Sequence, residues 1–567
     1  KNELAEKVTR GGESMAANAH KEQRYSVGIL TWPVSAASYQ DYVAEIPTNW
    51  AELISFAGQF GIDLVPPVAE YLAGDLRLRT FVPITVSIRR PANILFTQVP
   101  WDFVTVTLMA RDSDRDESGP AGLKVDTAVS VLNHREPLTT PLARRVSRLS
   151  EPSTSAVLLG AGAVGSKVAL HLGKGGDWGL RVVDIDTLSP HNLVRHALTS
   201  RSLGSNKAKA IAEELSETFS KDYSGLKFSA TEESALDVAQ QPFAATEKVV
   251  VDCTANLAVY DSLVESSTCP RVLRCELAHE GQLGLLIVES DRRITRLDDV
   301  RAYLFDAAVE HEDISDWLTS HLRRMKENPA FEEIEIGLGC SADTLQLADD
   351  IVSFHAAAFA RGVRDLQKKP TASIQVSRWL LESGEASVVR MEVAEFSSTR
   401  PANDPGWSVR ISPNASEVIH AESNRCAPSE TGGYLFGRID VRRRTIHVTR
   451  AGTQSVDSRG SAGGFLRGVS DAPFVRNIIQ RTGETITYVG DWHSHPRGGG
   501  EPSITDLNAA EELRQEVSPL GLPALMVIAT PRALHPYVFG NHTANSEVSI
   551  YSMQRRRRIS ASIVESL

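Results

Sequence analysis

Fifteen residues constrain the middle of this chain more than any others: Val157-Leu-Leu-Gly160-Ala-Gly162-Ala-Val-Gly165-Ser-Lys-Val-Ala-Leu-His171. An apolar run, a glycine turn and a helical start in that order predict a strand, a tight turn and a helix. The glycines at 160, 162 and 165 admit close backbone approach to a phosphate, and the helix N-terminus offers free N–H donors and the positive end of a dipole. From Ala156 to about Glu395 apolar runs alternate with amphipathic ones, which predicts a parallel sheet with crossover helices. Its strands read as Val157–Gly160, Leu180–Ile185, Lys248–Cys253 and Arg271–Glu276. Asp184 follows Gly165 by nineteen residues, at the end of the second strand and within reach of a ribose hydroxyl.

A length of 567 residues exceeds what one hydrophobic core organises, so two to four domains are expected. We divide the chain into an α+β module at 1–150, a Rossmann-like α/β domain with a parallel-rich sheet at 151–400, and a second α/β domain at 401–567. The first carries β-rich runs at Phe81–Ile88 and Phe103–Leu108, and the break Ser397–Gly406 precedes the third. No apolar run reaches the length of a spanning helix and the first residues lack a signal-peptide core, so a cytoplasmic protein without membrane contact is expected. A formal charge of −11, from 71 acidic against 60 basic residues, argues against a nonspecific grip on nucleic acid. Five cysteines (Cys253, Cys269, Cys275, Cys340 and Cys426) include no Cys-x-x-Cys pair, which argues against a disulfide framework and a cysteine-type structural zinc site.

The third segment contains His493-Ser-His495-Pro-Arg-Gly-Gly-Gly-Glu-Pro-Ser503-Ile-Thr-Asp506. Two histidines one residue apart on an extended segment point to the same side, so both rings can converge on one ion. Asp506 supplies a third ligand and leaves one tetrahedral position for water, the arrangement of a hydrolytic zinc centre. Upstream, Ser429-Glu430-Thr-Gly-Gly433 offers a base. Together these residues resemble the JAMM (JAB/MPN) metalloproteases, whose pattern is a distant Glu, then His-x-His-Pro, seven residues, Ser, two residues and Asp. The resemblance implies that His493, His495 and Asp506 hold Zn²⁺, that Glu430 takes a proton from the attacking water, and that Ser503 stabilises the oxyanion. Amide or isopeptide hydrolysis is the implied chemistry.

The residues after Asp184 carry a second resemblance. Asp184-Ile-Asp186, Asn192-Leu-Val-Arg195 and Lys207 at a helix start are similar to the ThiF/MoeB-like adenylating enzymes, which include ubiquitin-activating enzymes. By that resemblance Asp184 binds ribose, while Asn192, Arg195 and Lys207 contact the phosphates of ATP and stabilise the charge of adenylation. The family's Mg²⁺ motif Asp-Cys-Thr-Asp-Asn reads here Asp252-Cys-Thr-Ala255-Asn256, so Asp252 or Asp186 is left to serve the metal. Cys340, in a glycine-flanked segment ahead of a helix, is the expected thioester cysteine. The implied enzyme is bifunctional, in a bacterial ubiquitin-like pathway linked to defence. It activates a ubiquitin-like protein by adenylation and thioester formation, and trims or removes that protein through the JAMM site. A separate conjugating enzyme and a homodimer are the implied partners. Two alternatives are a sulfur-carrier adenylase with a carrier-processing protease, and a JAMM protease joined to a nonenzymatic nucleotide-fold platform.

Overall fold

The computed structural model of the protein describes residues 28–540 apart from 34–36, 44, 74–80, 95–98, 133–137, 150–153, 220–225, 328–346, 381–383, 469 and 471. Two compact units result, Lys1–Leu149 and Ser150–Leu567. The first is α+β, as its sequence implies. Strands β1 (Ile29–Thr31), β2 (Phe81–Arg89), β3 (Trp101–Met109) and β4 (Val129–Leu132) form a sheet in that order, with β1 parallel to β2 and the rest antiparallel. Helices α1 (Trp50–Gln59) and α2 (Val65–Ala73) contribute Trp50, Leu53, Phe56 and Val68 to its core, and α3 (Thr140–Val146) follows β4.

The second unit opens with the glycine-turn segment. Strand β5 (Ser155–Leu159) leads through Gly160, at φ +84°, into α4 (Ala163–Lys174). There follow β6 (Gly179–Val183), α5 (Lys207–Thr218), β7 (Phe228–Thr231), α6 (Ala235–Gln240), β8 (Val249–Asp252), α7 (Leu257–Glu265) and β9 (Arg271–Ala278). These five strands are parallel in the order β7-β6-β5-β8-β9, so the order of connections reverses between β5 and β8. Ligands of open α/β sheets bind beyond the carboxyl ends of the strands at that reversal. Strand β10 (Leu283–Val288), helices α8 (Leu297–Asp306), α9 (Glu312–Glu327) and α10 (Asp349–Leu366), then β11 (Ala372–Trp379) and β12 (Ala386–Val393) complete this half. The three late strands extend the sheet antiparallel beyond β9.

A seven-stranded sheet starts at β13 (Ser397–Thr399) and β14 (Ser408–Ile411), so the change of sheet falls at the sequence break. After α11 (Pro413–Cys426) come β15 (Gly432–Asp440), β16 (Thr445–Ala451), the hairpin β17 (Arg459–Ser461) and β18 (Gly464–Leu466), and α12 (Ala472–Arg481). Then follow β19 (Thr487–Ser494), α13 (Ile504–Val517), β20 (Ala524–Ala529) and β21 (Leu534–Phe539). The sheet order is β13-β14-β16-β15-β19-β20-β21.

The two large sheets share one core. Val475, Ile478 and Ile479 of α12, with Tyr434 and Phe436 of β15, cluster with Phe305, Ile314, Trp317 and Leu318 from α8 and α9. Each such fully buried side chain contributes about 1.5–3 kcal/mol. Arginines from the C-terminal half meet carboxylates of the preceding half along this seam. Arg410 makes a two-pronged bond to Asp299, Arg450 reaches Asp306 and Glu310, Arg443 reaches Asp261, and Arg481 reaches Glu312. His447 lies 3.2 Å from Asp299 and 3.5 Å from Asp298, buried with both. Burial pushes the His447 value down, but the two carboxylates prevail and raise it above the ordinary histidine value.

Two outcomes follow for the seam. Arg410→Ala takes the guanidinium from the buried Asp299 and leaves it to His447 alone among the charged groups, which destabilises the protein by about 1.5–3 kcal/mol, measured by urea denaturation; a loss under about 1 kcal/mol contradicts this role. The contribution of protonated His447 is complete below the unfolded histidine value near 6.5 and declines as pH rises through its raised folded value. The unfolding midpoint therefore falls on the alkaline side, and His447→Gln removes that part of the slope.

Candidate active sites

Strand β19 sets the first site. Trp492 turns into the core and donates to the Gly452 carbonyl at 2.9 Å, so its neighbour His493 must face the opposite side of the sheet. His495 lies one residue beyond the strand and still donates its backbone N–H to the Ala529 carbonyl. The His493 and His495 Nε2 atoms are 3.2 Å apart. Asp506 lies on the first turn of α13, where its Oδ1 is 3.2 Å from His493 Nε2 and its Oδ2 is 3.4 Å from His495 Nε2. Two ligand atoms about 2.0–2.1 Å from a tetrahedral zinc stand roughly 3.3 Å apart; the two imidazole nitrogens match that spacing and Asp506 turns one oxygen toward each ring, so the three side chains suit one such ion with a fourth position open. His495 Nδ1 lies 3.0 Å from the Gly499 carbonyl, which fixes the N–H there and frees Nε2 to act as a ligand.

The spacing between His495 and Asp506 has a helical cause. Ser503 caps α13: its Oγ accepts from the Asp506 N–H at 3.2 Å, and its own N–H donates to Asp506 Oδ2 at 2.7 Å. Burial raises the Asp506 carboxyl, but His493 and the Ser503 cap outweigh it and hold the group well below the usual range. The Ser503 hydroxyl proton is still available for donation, since its cap bond uses only an oxygen lone pair.

Glu430 reaches this site through strand pairing. Gly432 of β15 pairs with His493, and Thr431 and Ser494 bond reciprocally at 2.7 and 3.0 Å, which draws Glu430 level with His495. Its backbone N–H is held by the Ser461 carbonyl of β17 at 2.7 Å. Burial raises the Glu430 carboxyl, with His495, His493 and Asp506 acting on it as charges. A raised carboxyl is a stronger base once ionised.

The second site lies at the β5/β8 reversal. Asp184 accepts the Ala161 N–H at 2.6 Å and the Asp186 N–H at 2.9 Å, so it ties the glycine turn to the loop after β6. Burial raises its carboxyl. A Cβ on Gly160 would lie 3.1 Å from Thr254, which closes that turn against the end of β8. Gly162 caps α4, and Gly165 sits on its first turn. Asn192 closes the short turn Pro190–Val194 by accepting the Ser189 N–H, and Arg195 ends it. Lys207 opens α5 with its ammonium 3.0 Å from Asp186. His196, adjacent to Arg195 but absent from the sequence reading, donates from Nε2 to the Ala161 carbonyl at 2.7 Å and accepts the Leu198 N–H at Nδ1. Burial pushes it down to about 4, so it braces the glycine turn as a neutral ring.

Asp252, one of the two carboxylates expected to serve a metal, is engaged by protein groups. It is fully buried, pairs with the equally buried Arg274, and gives its other oxygen to the Thr254 N–H and hydroxyl. Arg274 also binds Glu276, which binds Arg301. With both oxygens occupied, Asp252 is structural here, and Asp186, with a side chain 53% exposed, is the open carboxylate of the two. Cys253 and Cys275 are core residues, as expected. Cys340 lies outside the described residues.

Comparison with known proteins agrees with both motifs. Residues 146–266 match the ThiF family, and residues 413–541 match the prokaryotic homologs of the JAB domain. A stretch of 153 residues is 28% identical to a CD-NTase/cGAS isopeptidase of Enterobacter hormaechei subsp. hoffmannii (strain UCI 50), covering 27% of this chain and 82% of that protein. Another of 111 residues is 36% identical to the ATP-dependent ubiquitin transferase-like protein Cap2 of the same strain, covering 20% of this chain and 18% of Cap2. A CD-NTase/cGAS isopeptidase of Escherichia coli (strain TW11681) is 29% identical over 82 residues, 14% of this chain and 51% of that protein. The chain joins a ThiF-type adenylating segment to a JAB-type hydrolase segment. Among the described residues no helix is long and apolar enough to cross a membrane.

The ligand triangle predicts one equivalent of zinc per chain. Elemental analysis should find it in the wild type and lose it in His493→Ala and Asp506→Ala. Ser503→Ala should keep the metal while losing about 1 kcal/mol of helix capping.

Proposed function

We propose that the protein activates the C-terminal carboxyl of a ubiquitin-like protein with ATP and hydrolyses peptide or isopeptide bonds of that same protein with zinc. The observation that carries the hydrolytic half is the His493–His495–Asp506 triangle with Glu430 beside it. When bound, zinc supplies a Lewis acid that polarises the scissile carbonyl and acidifies a water. Glu430 takes the proton of the attacking water as the C–O bond forms, and returns it to the departing amine as the oxyanion collapses and the C–N bond breaks. The Ser503 hydroxyl donates to the developing oxyanion. The relatives named as isopeptidases support an isopeptide substrate.

In the adenylating half, Asp184 holds the ribose while the α4 N-terminus, Asn192, Arg195 and Lys207 hold the triphosphate. The carrier's carboxylate oxygen attacks the α-phosphorus and pyrophosphate leaves. Asp186 fits a Mg²⁺ accompanying ATP better than Asp252 does, since only Asp186 has an open carboxylate. Cys340 then displaces AMP to form the thioester, for transfer to a separate conjugating enzyme, with the active species a homodimer. The relative named as ubiquitin transferase-like supports this half and a place in a bacterial pathway.

Glu430→Gln should retain zinc and lose hydrolysis of a carrier fusion by at least about a hundredfold. Retained activity would remove Glu430 from the mechanism. ATP–pyrophosphate exchange should require the carrier and vanish in Lys207→Ala. No exchange in the wild type would leave the ThiF-type segment as a binding platform, the reading that the occupied Asp252 and Ala255 favour.

A further inference from the structure

A cavity of about 470 Å³ opens on the seam between the two large sheets, away from both sites described above. Eleven residues line it, six of them arginines: Arg293, Arg296, Arg400, Arg410, Arg443 and Arg444. No acidic side chain is among the lining residues, in a chain whose formal charge is −11. We propose that this cavity binds a small oligophosphate, a ligand carrying two or more linked phosphoryl groups.

The six arginines divide into two groups by what they already touch. Arg293 is doubly bonded to Glu289, Arg410 to Asp299, and Arg443 pairs with Asp261 and Asp440. These three are neutralised and form a rigid floor. Arg296 is paired more loosely, 3.6 Å from the buried Asp298. Arg400 donates to the Pro405 carbonyl at 2.9 Å. Arg444 makes no ion pair with a carboxylate among the described residues, although Asp404 Oδ1 also borders the space at Gly406 that its guanidinium enters. Arg296 and Arg443 each also carry a buried Nε–H without an acceptor, which is costly unless a ligand or water supplies one. Two guanidiniums of the cavity, Arg400 and Arg444, are therefore without a bonded carboxylate among the described residues.

Like charges gathered in one recess repel, and an anion of matching charge offsets that cost. Guanidinium groups bind phosphoryl oxygens in bidentate fashion. The volume lies in the range of small-molecule sites, roughly 300–1,000 Å³. A recess of that size suits a compact oligoanion rather than an extended nucleic acid backbone, which binds along open basic surfaces. Arg400 and Arg444 stand at the exposed rim, on the segments before β14 and before β16. The absence of a side chain at Gly406 leaves room for the Arg444 guanidinium, whose Nη1 would lie 2.9 Å from a Cβ placed there.

The test is titration calorimetry of the full chain with tripolyphosphate at about 150 mM salt, where exposed charges are largely screened. Saturable binding is expected, persisting in the Lys207→Ala/Arg195→Ala protein, whose nucleotide-phosphate contacts are removed. Arg400→Ala/Arg444→Ala should weaken it at least about tenfold, with zinc content unchanged, and Arg400→Lys/Arg444→Lys should weaken it less, because charge remains without the fork. Absence of saturable binding, indifference to the rim substitutions, or loss of binding in Lys207→Ala/Arg195→Ala would each overturn the proposal. So would duplex DNA binding that depends on Arg400 and Arg444 when tripolyphosphate does not bind.

Discussion

The seam between the two large sheets is the interaction on which the second unit depends. Its centre is apolar, with Phe305, Trp317, Phe436 and Ile478 in one buried cluster, and ion pairs surround that centre. The apolar part supplies attraction without direction. The pairs Arg410–Asp299, Arg450–Asp306 and Arg443–Asp261 supply direction, because each buried or half-buried charge is costly unless the sheets meet in one register. At Gly483, with φ +54°, the loop after α12 approaches the Leu318 carbonyl of α9 so closely that a Cβ there would have to displace backbone. Adenylating and hydrolytic segments are thus built as one compact unit with a shared core.

Register inside the C-terminal sheet governs the metal triangle in a similar way. The pairing of Gly432 with His493 places Glu430 beside the ligands, and a slip of one residue would turn either β15 or β19 to the other face. That register is held by Trp492, whose ring is buried and bonded to Gly452, and by the reciprocal Thr431–Ser494 bonds. Asp506 depends on a different device, the Ser503 cap at the start of α13. One serine therefore caps the helix and orients the Asp506 carboxylate toward the two histidines.

The clustering of His493, His495 and Asp506 was legible because they fall within fourteen consecutive residues, where strand alternation and a helix cap are local rules. The parallel strands were legible for the same reason: β5, β6, β8 and β9 each lie within a few residues of the apolar runs that announce them. Glu430 was reachable only by resemblance, since the pairing that delivers it spans some sixty residues of sequence. What could not be read locally was the destination of charge. Asp252 has the sequence context of a metal ligand, but Arg274, twenty-two residues later on β9, occupies it. The six arginines of the seam cavity run from Arg293 to Arg444 across several elements, and no sequence window gathers them.

The two segments also differ in how they use buried charge. In the JAB-type segment the candidate ligand atoms of His493, His495 and Asp506 lie within 4.8 Å of one another, and Glu430 keeps a raised, half-buried carboxyl beside them. In the adenylating segment the chain Asp252–Arg274–Glu276–Arg301 is closed on itself, with Arg301 stacked 4.1 Å over the Tyr260 ring. A closed network of this kind is strongly resistant to losing one member, since the remaining charges would be buried and unpaired. It therefore braces the carboxyl ends of β8 and β9 and occupies both oxygens of Asp252. Across the crevice the charge is arranged in the opposite way: Asp186 stands half exposed, held by a single ion pair to the buried Lys207 ammonium at 3.0 Å, so that pair can part without leaving the carboxylate buried and unpaired.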